Sequence, residues 1–303
     1  MDYTKKILIV GATGLIGKAV AEELGGYYQW LGTYFSKKSR GMTPLDIANK
    51  ERIKEIFDTE SPTHVVYCVN LVGGVDFCEK NPGSARTFHF EGAVNIAREC
   101  LKHNSRFVFI SSECVFDGKK EVYEEKDKVN PLNIYGKCKA EAERWIQDNL
   151  KDYLIARTMS VYGWDPKTKA PNAVMNAYFT TLKGDKVLIP TFRWSNPTYV
   201  KDLAKALIEL CLSKESGIFH ICGATFINRY EWLKKTFKFL GWDSSLILPQ
   251  ESIPKNIVLR PHRISLNTDK FRNKFKTRLH NLEEALGMLK EDILMENTIC
   301  KVH

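Results

Sequence analysis

Short apolar runs alternate with longer amphipathic stretches along the first half of the chain. The apolar runs are rich in β-branched and aromatic residues and have the length of strands; they span residues 6–10, 29–34, 64–70, 106–111 and 153–157. Between them, apolar residues recur at helical spacing over residues 16–25, 49–57, 84–102 and 136–149. Runs that are apolar throughout are typical of strands buried on both faces of a parallel sheet. The pattern predicts an α/β fold, a doubly wound parallel sheet of the Rossmann type.

The alternation loosens after about residue 158. The spacing there predicts, in chain order, a helix at 172–183, a strand at 186–189, a helix at 199–213, a strand at 217–222, and helices at 229–240 and 281–290. We therefore predict a Rossmann-type domain over residues 1–157 plus about 190–222. A smaller C-terminal lobe is predicted over about 158–189 plus 223–303.

Charge is distributed unevenly between the two halves of the chain. The net charge is +9, and residues 151–303 carry 24 basic and 15 acidic side chains against 21 of each in residues 1–150. A solvated basic face and attraction of an anionic ligand such as a nucleotide diphosphate both remain open. Nucleic acid is not a predicted partner, because the lysines are dispersed and no helix-turn-helix, zinc-finger or aromatic RNA-binding signature occurs.

Cysteines and apolar segments indicate the compartment. The eight cysteines show no C-x-x-C spacing, which favours free thiols in a reducing compartment. His220 and Cys222 alternate on one predicted strand, but two ligands do not make a metal site, so no metal is predicted. Three glycines and Lys18 argue against an export signal near the N-terminus, and no stretch reaches the ~20 apolar residues of a membrane helix. We predict a cytoplasmic protein without a membrane partner.

A glycine turn follows the first predicted strand and begins the first helix. Its sequence, "ILIVGATGLIGKAV", has the spacing Gly-x-x-Gly-x-x-Gly. Glycines at this position let backbone amides approach a pyrophosphate, whose charge the helix N-terminus favours. The turn predicts a dinucleotide cofactor, with a glycine-rich turn that only packs as the alternative. The cofactor-binding residues predicted here are Gly11, Thr13, Gly14, Leu15, Ile16 and Gly17.

The end of the second predicted strand bears on the choice of cofactor. NAD sites usually carry an acidic residue there for the ribose hydroxyls, whereas a cationic site accommodates the 2′-phosphate of NADP. This chain reads "TYFSKKSR", with Ser36 and Lys37 and no acid. We predict NADPH bound by Ser36 and Lys37, with NADH as an alternative cofactor and a merely exposed basic turn as the alternative for the lysines.

Tyrosine and lysine stand four residues apart in "NPLNIYGKCKAEAERW", near the start of a predicted helix. That spacing brings Tyr135 and Lys139 together on one helical face, where the ammonium favours ionisation of the phenol. Two other pairs have the same spacing: Tyr34 with Lys38, and Tyr230 with Lys234. The first lies at a strand end and the second on a predicted helix surface with no strand-end serine before it.

Only the pair at 135 and 139 has a strand-end serine before it. The run "RFVFISSECVFDG" delivers Ser112 at the carboxyl end of a strand, where ligands bind in open α/β sheets. We predict that Ser112 hydrogen-bonds a substrate carbonyl while Tyr135 supplies the proton as hydride arrives. Lys139 is predicted to lower the pKa of Tyr135, and both residues to contact the nicotinamide ribose.

The order of these motifs resembles a known family. The glycine spacing resembles the short-chain dehydrogenase/reductase superfamily. The stretches "ISSECVFDGKKEVYEEKDKVNPLNIYGKCKAEAE", "ARTMSVYGW", "SNPTYVKDLAKAL", "GIFHICG" and "RPHRISLNTDK" resemble dTDP-4-dehydrorhamnose reductases, which reduce nucleotide-linked 4-keto-6-deoxy sugars. The similarity runs from about residue 6 to residue 290. It implies an NADP-binding Rossmann domain, a substrate-binding C-terminal lobe and a nucleotide-diphosphate sugar as substrate.

The resemblance also implies further site residues. Asp46 and Ile47 in "LDI" correspond to residues near the adenine, and Arg263 in "RPHR" to a substrate-lobe arginine. Four positions depart from the family: Glu113 and Cys114 replace an aspartate and a tyrosine, Ser160 replaces a common tryptophan, and His89 replaces a frequent asparagine. The predicted substrate-binding residues are Ser112, Glu113, Ser160 and Arg263.

Two other functions remain open. A related NAD-dependent sugar-nucleotide epimerase or dehydratase is one, although it would need an acid after the second strand. A non-catalytic regulatory subunit resembling the β subunit of methionine adenosyltransferase is the other, because a fold does not determine function. The oligomeric state is also open, with a homodimer as one alternative.

Overall fold

This computed structural model describes residues 5–36, 38–166, 172–255 and 257–302, the last six of them as backbone only. Within these ranges the strands are β1 (Lys6–Val10), β2 (Gln29–Tyr34), β3 (Thr43–Pro44), β4 (His64–Tyr67), β5 (Arg106–Ser112), β6 (Val122–Tyr123), β7 (Tyr153–Thr158), β8 (Val161–Tyr162), β9 (Val187–Pro190), β10 (Trp194–Ser195), β11 (Thr198–Tyr199), β12 (Gly217–His220), β13 (Ile227–Asn228), β14 (Ile247–Gln250) and β15 (Ser265–Leu266). The α-helices are α1 (Leu15–Leu24), α2 (Lys50–Glu60), α3 (Gly74–Lys80), α4 (Pro82–Arg86), α5 (Gly92–Lys102), α6 (Ile134–Asn149), α7 (Ala173–Thr181), α8 (Val200–Leu212), α9 (Arg229–Leu240), α10 (Asp269–Arg272) and α11 (Leu282–Val302). A π-helical turn covers Thr87–Glu91, and a 3₁₀ turn covers Glu113–Val115.

Seven strands form one parallel sheet in the order β12-β7-β5-β4-β1-β2-β3. The chain proceeds from β1 towards β3 on one side and resumes with β4 on the other side of β1. Ligands of open α/β sheets bind at this reversal, outside the carboxyl ends of the strands. The predicted Rossmann-type α/β fold is confirmed.

Each central strand is buried on both faces, which explains its continuous apolar run. In β1, Ile7 and Ile9 pack in a core cluster with α1 and α8, whereas Leu8 and Val10 pack in a second cluster with α2, α5 and α6. Full burial of such a side chain contributes roughly 1.5–3 kcal/mol. The two faces therefore hold the sheet between two layers of helices.

The C-terminal part of the chain has its own apolar core. Helices α7, α9 and α11 pack around the short parallel pair β9 and β14, with Tyr162, Val174, Trp232, Phe237 and Leu286 buried between them. This smaller lobe agrees with the predicted architecture. The residue boundaries of the two domains stay a prediction.

Asparagines begin several of the helices. Asn49, Asn172 and Asn228 accept hydrogen bonds from backbone amides in the first turns of α2, α7 and α9. At α6, the buried Asn133 accepts from Gly136 N (2.9 Å) and donates to Leu259 O (2.9 Å). The start of the helix that carries Tyr135 is thereby joined to the segment that precedes Arg260.

The structure bears on the cysteines and on the length of the apolar helices. The seven described cysteines are buried free thiols. No helix in the described ranges combines the length and apolarity that crossing a bilayer requires.

Candidate active site

The glycine turn between β1 and α1 is as tight as its sequence suggests. Gly11 has φ +85°, a left-handed conformation that favours glycine. A Cβ atom on Gly17 would overlap the Gly11 carbonyl oxygen and the Ala12 backbone. The turn is tied to β2, because Ala12 N donates to Thr33 O (2.8 Å). Only glycine at position 17 lets α1 begin this close to the turn.

The turn forms one wall of a cleft of about 330 Å³, here called the glycine cleft. The predicted cofactor residues that line it are Gly11, Thr13, Gly14, Ser36 and Ile47. Two further residues, Phe35 and Phe88, line the same cleft and meet edge to face with ring centres 6.0 Å apart. The cleft thus combines a glycine turn with aromatic side chains, a lining that suits a dinucleotide.

Four other predicted cofactor residues do not line this cleft. Leu15 and Ile16 line an adjoining cavity, and Gly17 packs beneath the turn. Asp46 is exposed and accepts a hydrogen bond from Ala48 N (2.9 Å), outside the cleft lining. Lys37 lies outside the described residues.

Ser112, Tyr135 and Lys139 line one cavity of about 300 Å³, here called the tyrosine cavity. Ser112 ends β5, and the other two residues lie in the first turns of α6. Glu113 and Ser160 line the same cavity, and it shares Cys68, Val69 and Asn70 with the glycine cleft. The structure therefore brings the predicted serine, tyrosine and lysine together beside the predicted cofactor site. Their catalytic roles stay predictions.

Lys139 is a buried ammonium with a single hydrogen bond in the described structure. Its Nζ donates to Ile110 O (2.8 Å) and lies 4.6 Å from the centre of the Phe109 ring and 5.9 Å from that of Tyr135. Burial lowers the pKa of Lys139 to about 8. The side chain remains mostly charged at neutral pH.

The pKa of Tyr135 differs from the sequence expectation. Burial raises the pKa of the phenol, Cys114 and Glu113 act in the same direction, and the Ser112 side chain opposes them. The expected lowering of the Tyr135 pKa by Lys139 does not prevail, because burial of the phenol outweighs it. The phenol is therefore protonated in this structure and can act as a proton donor.

Three neighbouring residues at the end of β5 exchange hydrogen bonds. Ser112 Oγ lies 2.6 Å from Glu113 Oε2 and accepts from Cys114 N (3.2 Å). The Cys114 thiol donates to Glu113 Oε1 (3.8 Å). Burial raises the pKa of Glu113, whereas Ser112, backbone hydrogen bonding and Arg260 lower it. A carboxyl group thus lies in direct contact with the serine that faces the cavity.

His89 is a buried residue whose contact with Tyr135 could not be predicted. It lies in the π-helical turn, and its ring meets the Tyr135 ring edge to face with centres 4.8 Å apart. Neither ring nitrogen has a hydrogen-bond partner in the described structure. Burial, with Lys139, lowers the pKa of His89 to about 2, so the imidazole is neutral.

A third cavity of about 670 Å³, here called the arginine cavity, lies between the glycine turn and the smaller lobe. Arg229 and Arg260 line it, and Arg260 also lines the tyrosine cavity. Burial, with Arg260 and Arg229, lowers the pKa of the nearby Arg193 to about 10. Asp76 pairs with Arg260. The two guanidinium groups that line this cavity, with Arg193 close to them, suit it to a multiply charged anion.

Arg263 does not line these three cavities. Its exposed guanidinium pairs with Glu121 and stacks on the rings of Trp194 (4.3 Å) and Phe226 (5.0 Å). Arg260, three residues earlier in the same "RPHR" motif, lines two of these cavities. Arg193, Arg229 and Arg260 were not predicted from the sequence. The "RPHR" motif indicates Arg260, but no sequence pattern indicates the other two.

Metal ligands are not grouped in the described ranges. No set of three or more histidine, cysteine, aspartate or glutamate side chains there has the arrangement of a metal site.

The chain is similar in sequence to a known family and to named proteins. Residues 5–294 match the family model described as RmlD substrate binding domain. Methionine adenosyltransferase 2 subunit beta from Xenopus tropicalis is 27% identical over 274 residues, which cover 88% of this chain and 81% of that protein. The dTDP-4-dehydrorhamnose reductase from Aggregatibacter actinomycetemcomitans is 29% identical over 237 residues, 75% of this chain and 76% of the relative.

A solved structure agrees with these relatives. The dTDP-4-dehydrorhamnose reductase from Bacillus anthracis, in complex with NADP, superposes with a TM-score of 0.84 at 25% identity, covering 95% of this chain and 99% of that one. The resemblance drawn from the sequence motifs is thereby confirmed.

Proposed function

We propose a specific reaction for this chain, which belongs to the family described as RmlD substrate binding domain. Members of this kind are named as reductases, and the chain is an NAD(P)-dependent oxidoreductase. Its proposed reaction is the NADPH-dependent reduction of the 4-keto group of a nucleotide-linked 4-keto-6-deoxy sugar. The observation that carries the proposal is the convergence of Ser112, Tyr135 and Lys139 on one cavity beside the glycine cleft.

The glycine turn fits a dinucleotide, since a side chain at Gly17 would fill the space between turn and helix. When bound, the reduced nicotinamide supplies a hydride to the carbonyl carbon. Ser112 hydrogen-bonds the carbonyl oxygen, and the Tyr135 phenol transfers its proton to that oxygen, so the ketone becomes a secondary alcohol. The Lys139 ammonium stabilises the phenolate left behind until Tyr135 is protonated again from solvent.

The choice of NADPH is supported by the lining of the glycine cleft. Tyr34, Phe35 and Ser36 line it at the end of β2, and no carboxylate occurs among its described lining residues. Asp46, the nearest predicted acid, instead caps a backbone amide. A site without an acid at the ribose favours the 2′-phosphate. NADH remains the alternative.

A sugar nucleotide is supported by the arginine cavity. Its arginines can bind a diphosphate with charge-assisted hydrogen bonds, and Arg260 lines both this cavity and the one that holds Tyr135. A ligand anchored there by its diphosphate extends its sugar towards Ser112 and Tyr135. The nucleotide and the sugar stereochemistry are left to experiment.

The proposal is tested with purified protein, NADPH and a panel of dTDP-, UDP- and GDP-linked 4-keto-6-deoxy sugars. Oxidation of NADPH, followed by the loss of reduced-nicotinamide absorbance, is expected with at least one member. No oxidation with any member would contradict the proposal.

A regulatory subunit is the second candidate, favoured by the similarity to methionine adenosyltransferase 2 subunit beta. Tyr135→Phe distinguishes the two functions. In the reductase, it removes the proton donor but keeps the ring, so turnover is expected to fall by about 100-fold or more while NADPH affinity persists. A catalytically silent protein in which Tyr135→Phe changes neither cofactor binding nor the activity of a bound partner enzyme would favour the regulatory function.

A further inference from the structure

Ser112 has one hydroxyl hydrogen, and its hydrogen bonds determine which group receives it. A hydroxyl group has one hydrogen to donate and two lone pairs to accept with. Ser112 Oγ already accepts from Cys114 N (3.2 Å), and it donates to Glu113 Oε2 (2.6 Å) when that carboxylate oxygen carries no proton. The side of the hydroxyl that remains available faces Tyr135, in the cavity where the substrate carbonyl would lie.

The protonation state of Glu113 decides what Ser112 can offer a ligand. If Glu113 is ionised, the Ser112 hydrogen goes to the carboxylate, and only a lone pair faces the cavity. That lone pair repels a carbonyl oxygen. If Glu113 carries a proton, the carboxyl donates to Ser112, both lone pairs of the serine are occupied, and its own hydrogen points into the cavity. Only the second arrangement makes Ser112 a donor.

We propose that Glu113 acts in its protonated form, as a positioning residue that donates to Ser112 and so directs the serine hydroxyl at the substrate carbonyl. This inference rests on the proposed ketoreductase function. It gives Glu113 a role in proton placement besides the substrate contact that the sequence predicts.

Some features around Glu113 raise its pKa, which favours the neutral acid, and others lower it. Burial raises its pKa. The charged and titratable groups that face it from neighbouring elements are Cys114 in its own turn, Tyr135 on α6, Cys222 after β12, Arg229 on α9 and Arg260 before β15. Arg260 favours the carboxylate, because its positive charge attracts the ionised form.

A diphosphate bound at Arg260 changes this balance. It neutralises the guanidinium charge that lowers the pKa of Glu113. The neutral acid is then favoured further, so binding of the sugar nucleotide is expected to be accompanied by proton uptake at Glu113. Substrate binding would thus set the Ser112 hydroxyl in its donating orientation.

Two substitutions test the proposal through the pH dependence of turnover. Glu113→Gln supplies an uncharged donor at every pH, whereas Glu113→Leu supplies none. We expect wild-type kcat to decline as Glu113 ionises at rising pH, and the ratio of Glu113→Gln to wild-type kcat to rise by up to about tenfold per pH unit above that pKa. Glu113→Leu is expected to lose about 100-fold at every pH. Glu141→Gln, an exposed residue of α6, is the control and should follow the wild-type profile.

An infrared difference spectrum between wild type and Glu113→Gln reports the proton directly and needs no turnover. We expect the carbonyl stretch of an un-ionised carboxyl group in the wild type at the pH of maximal turnover, strengthened by adding dTDP or UDP. A carboxylate band alone at that pH, with or without the nucleotide, would overturn the inference while leaving the reductase function intact. An un-ionised Glu113 in a protein that reduces no member of the sugar panel would instead contradict the proposed function. A ratio of Glu113→Gln to wild-type kcat that falls as pH rises would also overturn the inference.

Discussion

The ammonium of Lys139 is held in an environment that opposes its charge. It is buried against Phe109 and has one described hydrogen bond, to Ile110 O. The pKa of about 8, against an ordinary 10.5, is the consequence. Within the proposed mechanism the unfavourable burial of this charge has a function. A phenolate formed at Tyr135 is stabilised more strongly by a poorly hydrated cation than by a solvated one.

Lys139→Met is expected to change both stability and turnover. Between about pH 8 and 10.5 the unfolded chain binds more protons at this residue than the folded chain does, so the residue makes the free energy of unfolding rise with pH. The stability of wild type relative to Lys139→Met should therefore increase over that window, measured by urea unfolding at both ends. Turnover should fall by about 100-fold or more. An equal stability difference at both pH values would contradict the assigned burial.

Residue identities in the site were predictable where a motif and a strand end coincided. Ser112, Tyr135 and Lys139 could be found because a strand end and the i, i+4 spacing of a helix determine where those side chains lie. The arginines could not, because Arg193 lies between two short strands and Arg229 at the start of α9, and neither position is marked by a motif or a strand end. Their proximity depends on how the smaller lobe packs.

At the scale of elements, the glycine turn and α1 determine whether the first strand can support a cofactor site. Gly17 is the point of closest approach, since a Cβ there would meet the Gly11 carbonyl. Six of the seven strands of this sheet follow from apolar runs, whereas the two-residue edge strand β3 lies in no predicted run. The break of the predicted helix at 84–102 into α4, a π-helical turn and α5 does not, because one wide turn leaves the 3.6-residue spacing nearly unchanged.

Gly17→Ala is expected to displace the turn from α1, weaken NADPH binding and cost about 1–3 kcal/mol of folding free energy. Gly287→Ala in α11 is the matched control, because nothing lies within 4 Å of its added Cβ. That control should gain roughly 0.5–1 kcal/mol, as alanine does over glycine inside a helix. Cofactor titration and urea unfolding measure both variants. Equal NADPH affinity in Gly17→Ala and wild type would show that the turn does not hold the cofactor.

At the scale of the whole molecule, three buried or partly buried arginines of the second half lie near one another. Arg193, Arg229 and Arg260 approach one another from separate segments, and their mutual repulsion contributes to the lowered pKa values of Arg193 and Arg229. Folding holds these charges together at a cost that an anionic ligand can offset. This group of arginines thus supports the anionic-ligand interpretation of the sequence.

Arg260→Gln and Arg263→Gln, three residues apart, test this interpretation. Removing the Arg260 guanidinium is expected to weaken dTDP or UDP binding by about tenfold or more, since a charge-assisted hydrogen bond contributes roughly 1.5–3 kcal/mol. Arg263→Gln should bind as wild type does, because its side chain lies on Trp194 outside the cavity. Calorimetric titration compares the two. A larger loss of nucleotide affinity in Arg263→Gln than in Arg260→Gln would show that Arg263, the arginine predicted from the sequence, binds the nucleotide.

Asn133 has a consequence for the length of molecule that this protein can accept. One of its amide atoms holds the start of α6, two residues before Tyr135, and the other holds the carbonyl of Leu259, next to Arg260. One side chain therefore connects the helix that carries the proposed proton donor to the arginine that we propose binds the phosphates. On that proposal, a compound that is one phosphate shorter or longer would present a different carbon to the phenol and is expected to be reduced more slowly.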